Sequence, residues 1–107
     1  MDIAIALLLI LNPVKADAWL ELYAHGRQDE FACMERIFFK ESSWNPEAVG
    51  DNGTSVGLPQ RHTVVHGWPE SSPWPVREQV AWALEYADQR YGGLCEALEF
   101  HERNNWW

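Results

Sequence analysis

The sequence predicts a mainly α domain in which a long central loop or small β segment separates two helical parts. Apolar residues repeat at helical spacing on both sides of residues 45–75, and that central stretch carries most of the chain's glycines and prolines. The 107 residues suffice for one domain with a modest core, and a hydrophobic fraction of 47% is ordinary for a globular protein. We therefore expect a compact, mostly helical domain with one long central loop.

The N-terminal residues predict a signal peptide or hydrophobic leader over residues 1–18, followed by the domain over residues 19–107. The run IAIALLLIL is continuously apolar but too short to span a bilayer, and Asn12-Pro13 is expected to break it. The tripeptide ADA beside the boundary has the small-x-small pattern that signal peptidase recognises. A retained hydrophobic anchor or a buried helix is the alternative, because Asp2 stands where a leader normally carries Lys or Arg.

Two helices are predicted before the central loop. The segment AWLELYAHG favours a short helix that ends near Gly26. A longer helix is expected from about Asp29, as N-cap, to Ser42 or Ser43, and Pro46 prevents its continuation. The apolar residues of the longer helix form one buried stripe: Cys33, Met34, Ile37 and Phe38.

Two further helices are predicted after the central loop, in which short β segments around Ser55–Leu58 are expected. Pro75 suits the first turn of one helix, and Gly92-Gly93 ends it. Its apolar face consists of Val76, Val80, Ala83, Leu84, Ala87 and Tyr91. The last helix, LCEALEFHER, presents Leu94, Cys95, Leu98 and His101 inward.

Charge and composition exclude several kinds of partner. A net charge of −8 argues against nucleic acid, which needs a basic surface, and against an anionic membrane surface. No Cys/His cluster has zinc spacing, and the four histidines form neither H-E-x-x-H nor a serine triad, so we expect no metal and no cofactor. By themselves, the two cysteines are either unconnected core thiols or one disulfide.

One carboxylate, Glu41, occupies an unusual place for an acidic residue. On a helix it shares a face with Ile37 and Phe38, and Trp44 follows it. Apolar neighbours and the negative end of the helix dipole both disfavour the charged form, so we expect the pKa of Glu41 to be raised. A carboxylic acid protonated near neutral pH can act as a general acid on a glycosidic oxygen. The alternative is a solvated glutamate at a fraying helix end.

The stretch ESSWNPEAVGDNGTSVGLPQ resembles the catalytic stretch of the soluble lytic transglycosylase and goose-type lysozyme superfamily. The segments QVAWALEYADQRYGGLCEAL and NWW are similar to the final helices and tail of small secreted members. Together these motifs cover roughly residues 31–107. The resemblance implies a lysozyme-like α+β fold, with the central segment forming a glycan cleft.

Roles follow from the resemblance at four positions. Glu41 matches the catalytic acid/base, Ser55 and Gln60 match residues lining the cleft for N-acetylmuramic acid, and Tyr91 matches the cleft tyrosine near the glutamate. The resemblance also implies a disulfide between Cys33 and Cys95, joining the first and last main helices. The loop over residues 61–75 follows no pattern of the family.

The resemblance implies a peptidoglycan lytic transglycosylase that uses Glu41 as its single acid/base and acts on glycan strands. A hydrolytic lysozyme that uses Glu41 and a water positioned by Asp51 is one alternative, although Asp51 also suits a plain turn. A non-catalytic glycan-binding or virion structural module is the other. The protein is expected to be exported or, if encoded by a phage, virion-associated. Other virion or cell-wall proteins are further expected partners, and no stable membrane insertion is expected once the leader is removed.

Overall fold

The computed structural model describes residues 11–107, which form a mainly helical domain with a small antiparallel sheet. The helices are α1 (Pro13–Ala24), α2 (Phe31–Ser42), α3 (Thr63–His66), α4 (Val76–Tyr91) and α5 (Leu94–Asn104). The strands are β1 (Val49–Gly50), β2 (Ser55–Val56) and β3 (Arg61–His62), paired in the order β1-β2-β3. The predicted fold class is confirmed, and the central segment contains the small β element that was expected around Ser55.

Helix α1 begins where a break was predicted. Asn12 is its N-cap, and its side-chain oxygen accepts a hydrogen bond from the backbone N–H of Lys15 at 3.1 Å. Pro13 occupies the first helical position, where a missing N–H costs nothing. Asn12 itself is extended and lies between the helical Leu11 and Pro13, so the predicted break at Asn12-Pro13 is confirmed, and the same pair also starts α1.

The predicted boundary after Ala18 lies inside helix α1, and Ala18 is fully buried in the core. Most of the predicted leader, residues 1–10, lies outside the described residues. The division into a leader and a domain stays a prediction. No helix within residues 11–107 is both long enough and apolar enough to cross a membrane.

Helix α2 begins later than predicted. A short 3₁₀ turn, Gln28–Glu30, precedes it, and Glu30 occupies the N-cap position without a capping side-chain bond. The side chain of Glu30 instead binds Arg27 and accepts the backbone N–H of Leu94 at 3.2 Å, which ties the start of α2 to the start of α5. The helix ends at Ser42, as predicted.

Four helices enclose the core: α1 packs mainly on α4, and α5 packs on both α2 and α4. The core residues are Ala18, Leu22, Met34, Ile37, Phe38, Leu58, Val80, Ala83, Leu84, Ala87, Leu94 and Ala97. The predicted apolar faces of α2 and α4 are confirmed, because their central members are all buried. Cys95, predicted to face inward, is exposed.

A buried glutamine joins the sheet to the helical part. Gln79 on α4 is fully buried; its side-chain oxygen accepts from the backbone N–H of Leu58 at 2.7 Å. Its amide nitrogen donates to the carbonyls of Pro46 (3.1 Å) and Trp74 (2.8 Å). A Cβ on Gly57 would lie 2.7 Å from the Gln79 side-chain oxygen, so this close approach requires glycine. The sheet is thereby held against α4.

Cys33 on α2 and Cys95 on α5 form a disulfide, with their Cα atoms 5.1 Å apart. The predicted pairing is confirmed. Disulfides persist in oxidising environments, so this bond indicates a protein that matures outside a reducing cytosol.

Candidate active site

Glu41 lies in the last turn of α2, at the boundary between the core and the surface. Its side chain is 17% exposed, whereas Ile37 and Phe38 on the preceding turn are fully buried. Trp44 packs edge-on against Phe38, with 5.2 Å between ring centroids, and its indole N–H donates to the carbonyl of Glu35 at 3.0 Å. The apolar setting predicted for Glu41 is confirmed.

His101 on α5 contacts Glu41 directly. The distance from His101 Nε2 to Glu41 Oε1 is 2.7 Å, and the histidine side chain is 6% exposed. His101 Nδ1 is buried without a hydrogen-bond partner among residues 11–107. A mostly buried carboxyl that is hydrogen-bonded to a buried imidazole is an arrangement found at catalytic sites.

Burial raises the pKa of Glu41 above its ordinary value. The hydrogen bond with His101, and the charge that His101 carries whenever it is protonated, oppose this effect, and the nearby negative charge of Asp51 adds to it. The predicted direction is therefore confirmed, with desolvation as the largest cause. Glu41 has the environment of a proton donor rather than that of a solvated surface acid.

Asp51 and Ser55 belong to one turn beside Glu41. Ser55 is buried, and its hydroxyl donates to Asp51 Oδ2 at 2.6 Å. Asp51 and Asn52 both adopt the left-handed conformation, with φ of 50° and 57°. The serine that was predicted to line the cleft thus holds the Asp51 carboxylate in place, and its contact with a sugar stays a prediction.

Gln60 braces the sheet from within. Its amide nitrogen donates to the carbonyls of Ala48 (3.1 Å) and Gly57 (3.0 Å), and its backbone has a φ of 53°. A Cβ on Gly50 would lie 2.6 Å from the Gln60 side-chain oxygen, so a larger residue there would displace this side chain. Both amide hydrogens of Gln60 are therefore engaged by backbone, and its role as a sugar ligand stays a prediction.

Tyr91 lies at the end of α4. Its ring is 5.0 Å from that of Phe100, the residue before His101 on α5. Its hydroxyl is buried and has no hydrogen-bond partner within residues 11–107. Burial, followed by the neighbouring Tyr86, raises the pKa of Tyr91 to about 12. The hydroxyl is therefore neutral, and its contact with a glycan stays a prediction.

An aromatic column that the sequence did not predict lies along α4. Trp82 and Tyr86 are stacked with 5.0 Å between their centroids, Arg61 covers Trp82, and Arg90 covers Tyr86. The spacing of Trp82, Tyr86 and Arg90 at every fourth residue is the signal that could have revealed it. Trp107 meets the column edge-on at Tyr86.

The tail also closes onto the sheet. The indole N–H of Trp107 donates to the carbonyl of Pro59 at 3.1 Å, which places the aromatic tail between α4 and the β2-β3 turn.

His101 was predicted to face inward, but its contact with Glu41 was missed. Residues 41 and 101 are distant in sequence, and only the packing of α5 on α2 brings them together.

No cluster of three side chains able to hold a metal ion occurs in the described part of the chain. The candidate site consists of the mostly buried Glu41 carboxyl, its histidine partner and the Asp51 carboxylate. These groups can donate, hold and accept protons.

Comparison with known proteins shows a distant likeness to a transglycosylase. Over 76 residues the chain is 34% identical to a protein of Staphylococcus haemolyticus (strain JCSC1435) named probable transglycosylase IsaA. The match covers 71% of this chain and 29% of that protein, so the chain spans less than a third of the relative's length. No protein-family model and no solved structure matches the chain.

Proposed function

We propose that the chain is a peptidoglycan lytic transglycosylase that cleaves the β-1,4 bond between N-acetylmuramic acid and N-acetylglucosamine. The observation that carries this proposal is the Glu41 carboxyl, which is mostly buried and has its pKa raised by that burial. The likeness to a probable transglycosylase supports the same reaction class. The disulfide agrees with an exported protein that meets the cell wall.

One carboxyl group suffices for the proposed reaction. Glu41 in its acid form protonates the glycosidic oxygen as the bond from that oxygen to C1 breaks, and the substrate's acetamido group stabilises the charge at C1. The carboxylate then takes the proton of the C6 hydroxyl, whose oxygen bonds to C1 and closes a 1,6-anhydro ring. Glu41 ends in its starting protonation state, and no water is consumed.

The proposal predicts that glycan fragments are released without new reducing ends. Purified peptidoglycan is incubated with the protein, and soluble muropeptides and reducing sugars are measured in the same sample. We expect soluble fragments with no matching rise in reducing ends, because each cleaved N-acetylmuramic acid is sealed as an anhydro ring. One new reducing end for each fragment would contradict it and indicate hydrolysis, whereas no fragments at all would indicate a binding module.

A hydrolytic lysozyme is the second candidate, and the Asp51 carboxylate is the observation that favours it. The negative charge of Asp51 raises the pKa of Glu41. The Ser55 hydroxyl fixes the Asp51 carboxylate by donating a hydrogen bond of 2.6 Å to Oδ2. Such a fixed second carboxylate could orient a water molecule for attack at C1. Loss of hydrolysis, but not of anhydro products, in Asp51→Asn would separate the two reactions.

The pH dependence follows from the direction of the Glu41 shift. Cleavage needs the protonated acid, so kcat/KM should fall as pH rises through a Glu41 pKa that lies above the ordinary glutamate value. Because the charge of Asp51 contributes to this elevation, Asp51→Asn should move the basic limb of the profile to lower pH. The asparagine retains an acceptor for Ser55 and tolerates a positive φ, so it is a conservative test. An unchanged or higher limb would refute the assignment.

A further inference from the structure

We propose that His101 is the positioning residue of Glu41: its Nε2–H group donates to Oε1 and leaves Oε2 as the oxygen that exchanges the catalytic proton. This inference rests on the proposed function, but the contact itself can be tested without substrate. Neither the family resemblance nor the relative assigns a role to this residue.

Geometry and burial carry the first step. His101 Nε2 lies 2.7 Å from Glu41 Oε1, and at 6% exposure the imidazole is more enclosed than the carboxyl at 17%. Glu41 Oε2 makes no hydrogen bond within residues 11–107. The histidine therefore holds one carboxyl oxygen on the protein side, and the other remains available to a substrate.

The buried Nδ1 atom decides which tautomer fits. Nδ1 has no partner in the described part of the chain, so a hydrogen placed there would be a buried donor without an acceptor. Orphaned buried N–H groups are rarer than under-satisfied acceptors. The hydrogen of a neutral imidazole therefore belongs on Nε2, facing Glu41. In that tautomer Nε2 cannot accept the carboxyl proton, which must stay on Oε2.

The same bond adjusts the acidity of Glu41. An N–H donor binds a carboxylate more strongly than it binds a carboxylic acid, so His101 lowers the pKa of Glu41 against the effect of burial. Asp51, in the turn before β2, acts in the opposite direction through its charge. On α4, the Tyr91 phenol is neutral near pH 7, since its pKa is raised to about 12. His101 thus stabilises the carboxylate that forms when the glycosidic oxygen takes the proton.

The test compares two substitutions at position 101 with a remote control. His101→Met removes the donor but keeps an apolar chain of similar length, whereas His101→Gln retains an N–H donor near the position of Nε2. His62→Gln, at an exposed residue of β3, is the control. In each protein the Glu41 carboxyl is titrated by ¹³C NMR, and kcat and KM are measured across pH.

In His101→Met we expect the Glu41 pKa and the basic limb of kcat/KM to rise together. We also expect kcat to fall about 10- to 100-fold with little change in KM, because misplacement of a catalytic group costs rate. His101→Gln should restore most of both properties, and His62→Gln should match the wild type. An equal Glu41 pKa in the wild type and His101→Met would overturn the inference.

A measurement on the wild type alone covers the case in which His101→Met does not fold. The ¹⁵N shifts of the His101 ring should show hydrogen on Nε2, whereas hydrogen on Nδ1 would overturn the inference. A wild type that cleaves no glycan, yet shows the expected tautomer and pKa change, would overturn the proposed function and leave the His101–Glu41 contact supported.

Discussion

Replacing Glu41 with glutamine is expected to abolish glycan cleavage while the fold and glycan binding remain. Glutamine keeps the shape of the side chain and an oxygen that accepts a hydrogen bond from His101 Nε2. Its amide cannot transfer a proton to the glycosidic oxygen or take one from the C6 hydroxyl. Loss of general acid catalysis should lower kcat by about 100- to 10,000-fold. The rate of dye release from labelled peptidoglycan measures this effect.

The sign of the stability change provides a check on the same variant. The pKa of Glu41 is higher in the folded than in the unfolded protein. The free energy of unfolding therefore falls as pH rises from the ordinary glutamate pKa through the raised one. An amide does not ionise, so Glu41→Gln should be at least as stable as the wild type near neutral pH. Glu47→Gln, at an exposed turn residue within the same stretch of sequence, is the matched control and should retain full activity.

Removal of the Cys33–Cys95 disulfide is expected to have the largest effect on stability. The bond joins positions separated by 62 residues, and closing a loop of that length stabilises by about 4 kcal/mol in the chain-entropy model. Small domains have a total free energy of unfolding of about 5–15 kcal/mol, so the loss would be a large fraction of it. Thermal unfolding of the wild type and of Cys33→Ser/Cys95→Ser measures the difference.

Reduction of the native protein separates the bond from the packing of its side chains. A thiol reductant should lower the midpoint temperature of thermal unfolding of the wild type towards that of Cys33→Ser/Cys95→Ser. The same reductant should leave the midpoint of the variant unchanged. Two titratable thiols in the native protein, or a wild-type midpoint that does not respond to reductant, would contradict the disulfide.

Much of the helical framework could be predicted from local patterns. The buried faces of α2 and α4 follow from apolar residues at helical spacing, such as Met34, Ile37 and Val80, and Gly92 ends α4 as expected. The elevated pKa of Glu41 could also be predicted, because its apolar neighbours Ile37 and Phe38 lie one turn away on the same helix.

The remaining features depend on contacts between distant segments. Nothing in the local sequence around His101 indicates that its ring meets Glu41, since the docking of α5 on α2 determines that contact. Ser55 and Gln60 were predicted as cleft residues from a motif, but a motif does not show that Asp51 and backbone carbonyls engage their hydrogen-bonding groups.

The central claim, that Glu41 alone acts as acid and base in an anhydro-forming cleavage, is tested most directly by mass spectrometry of muropeptides. Identical samples of peptidoglycan are digested with the wild type and with Glu41→Gln. The wild type should release products lighter by one water molecule than reducing muropeptides, and the variant should release about 100- to 10,000-fold less of them in the same time. Anhydro products from Glu41→Gln in wild-type amounts would contradict the claim.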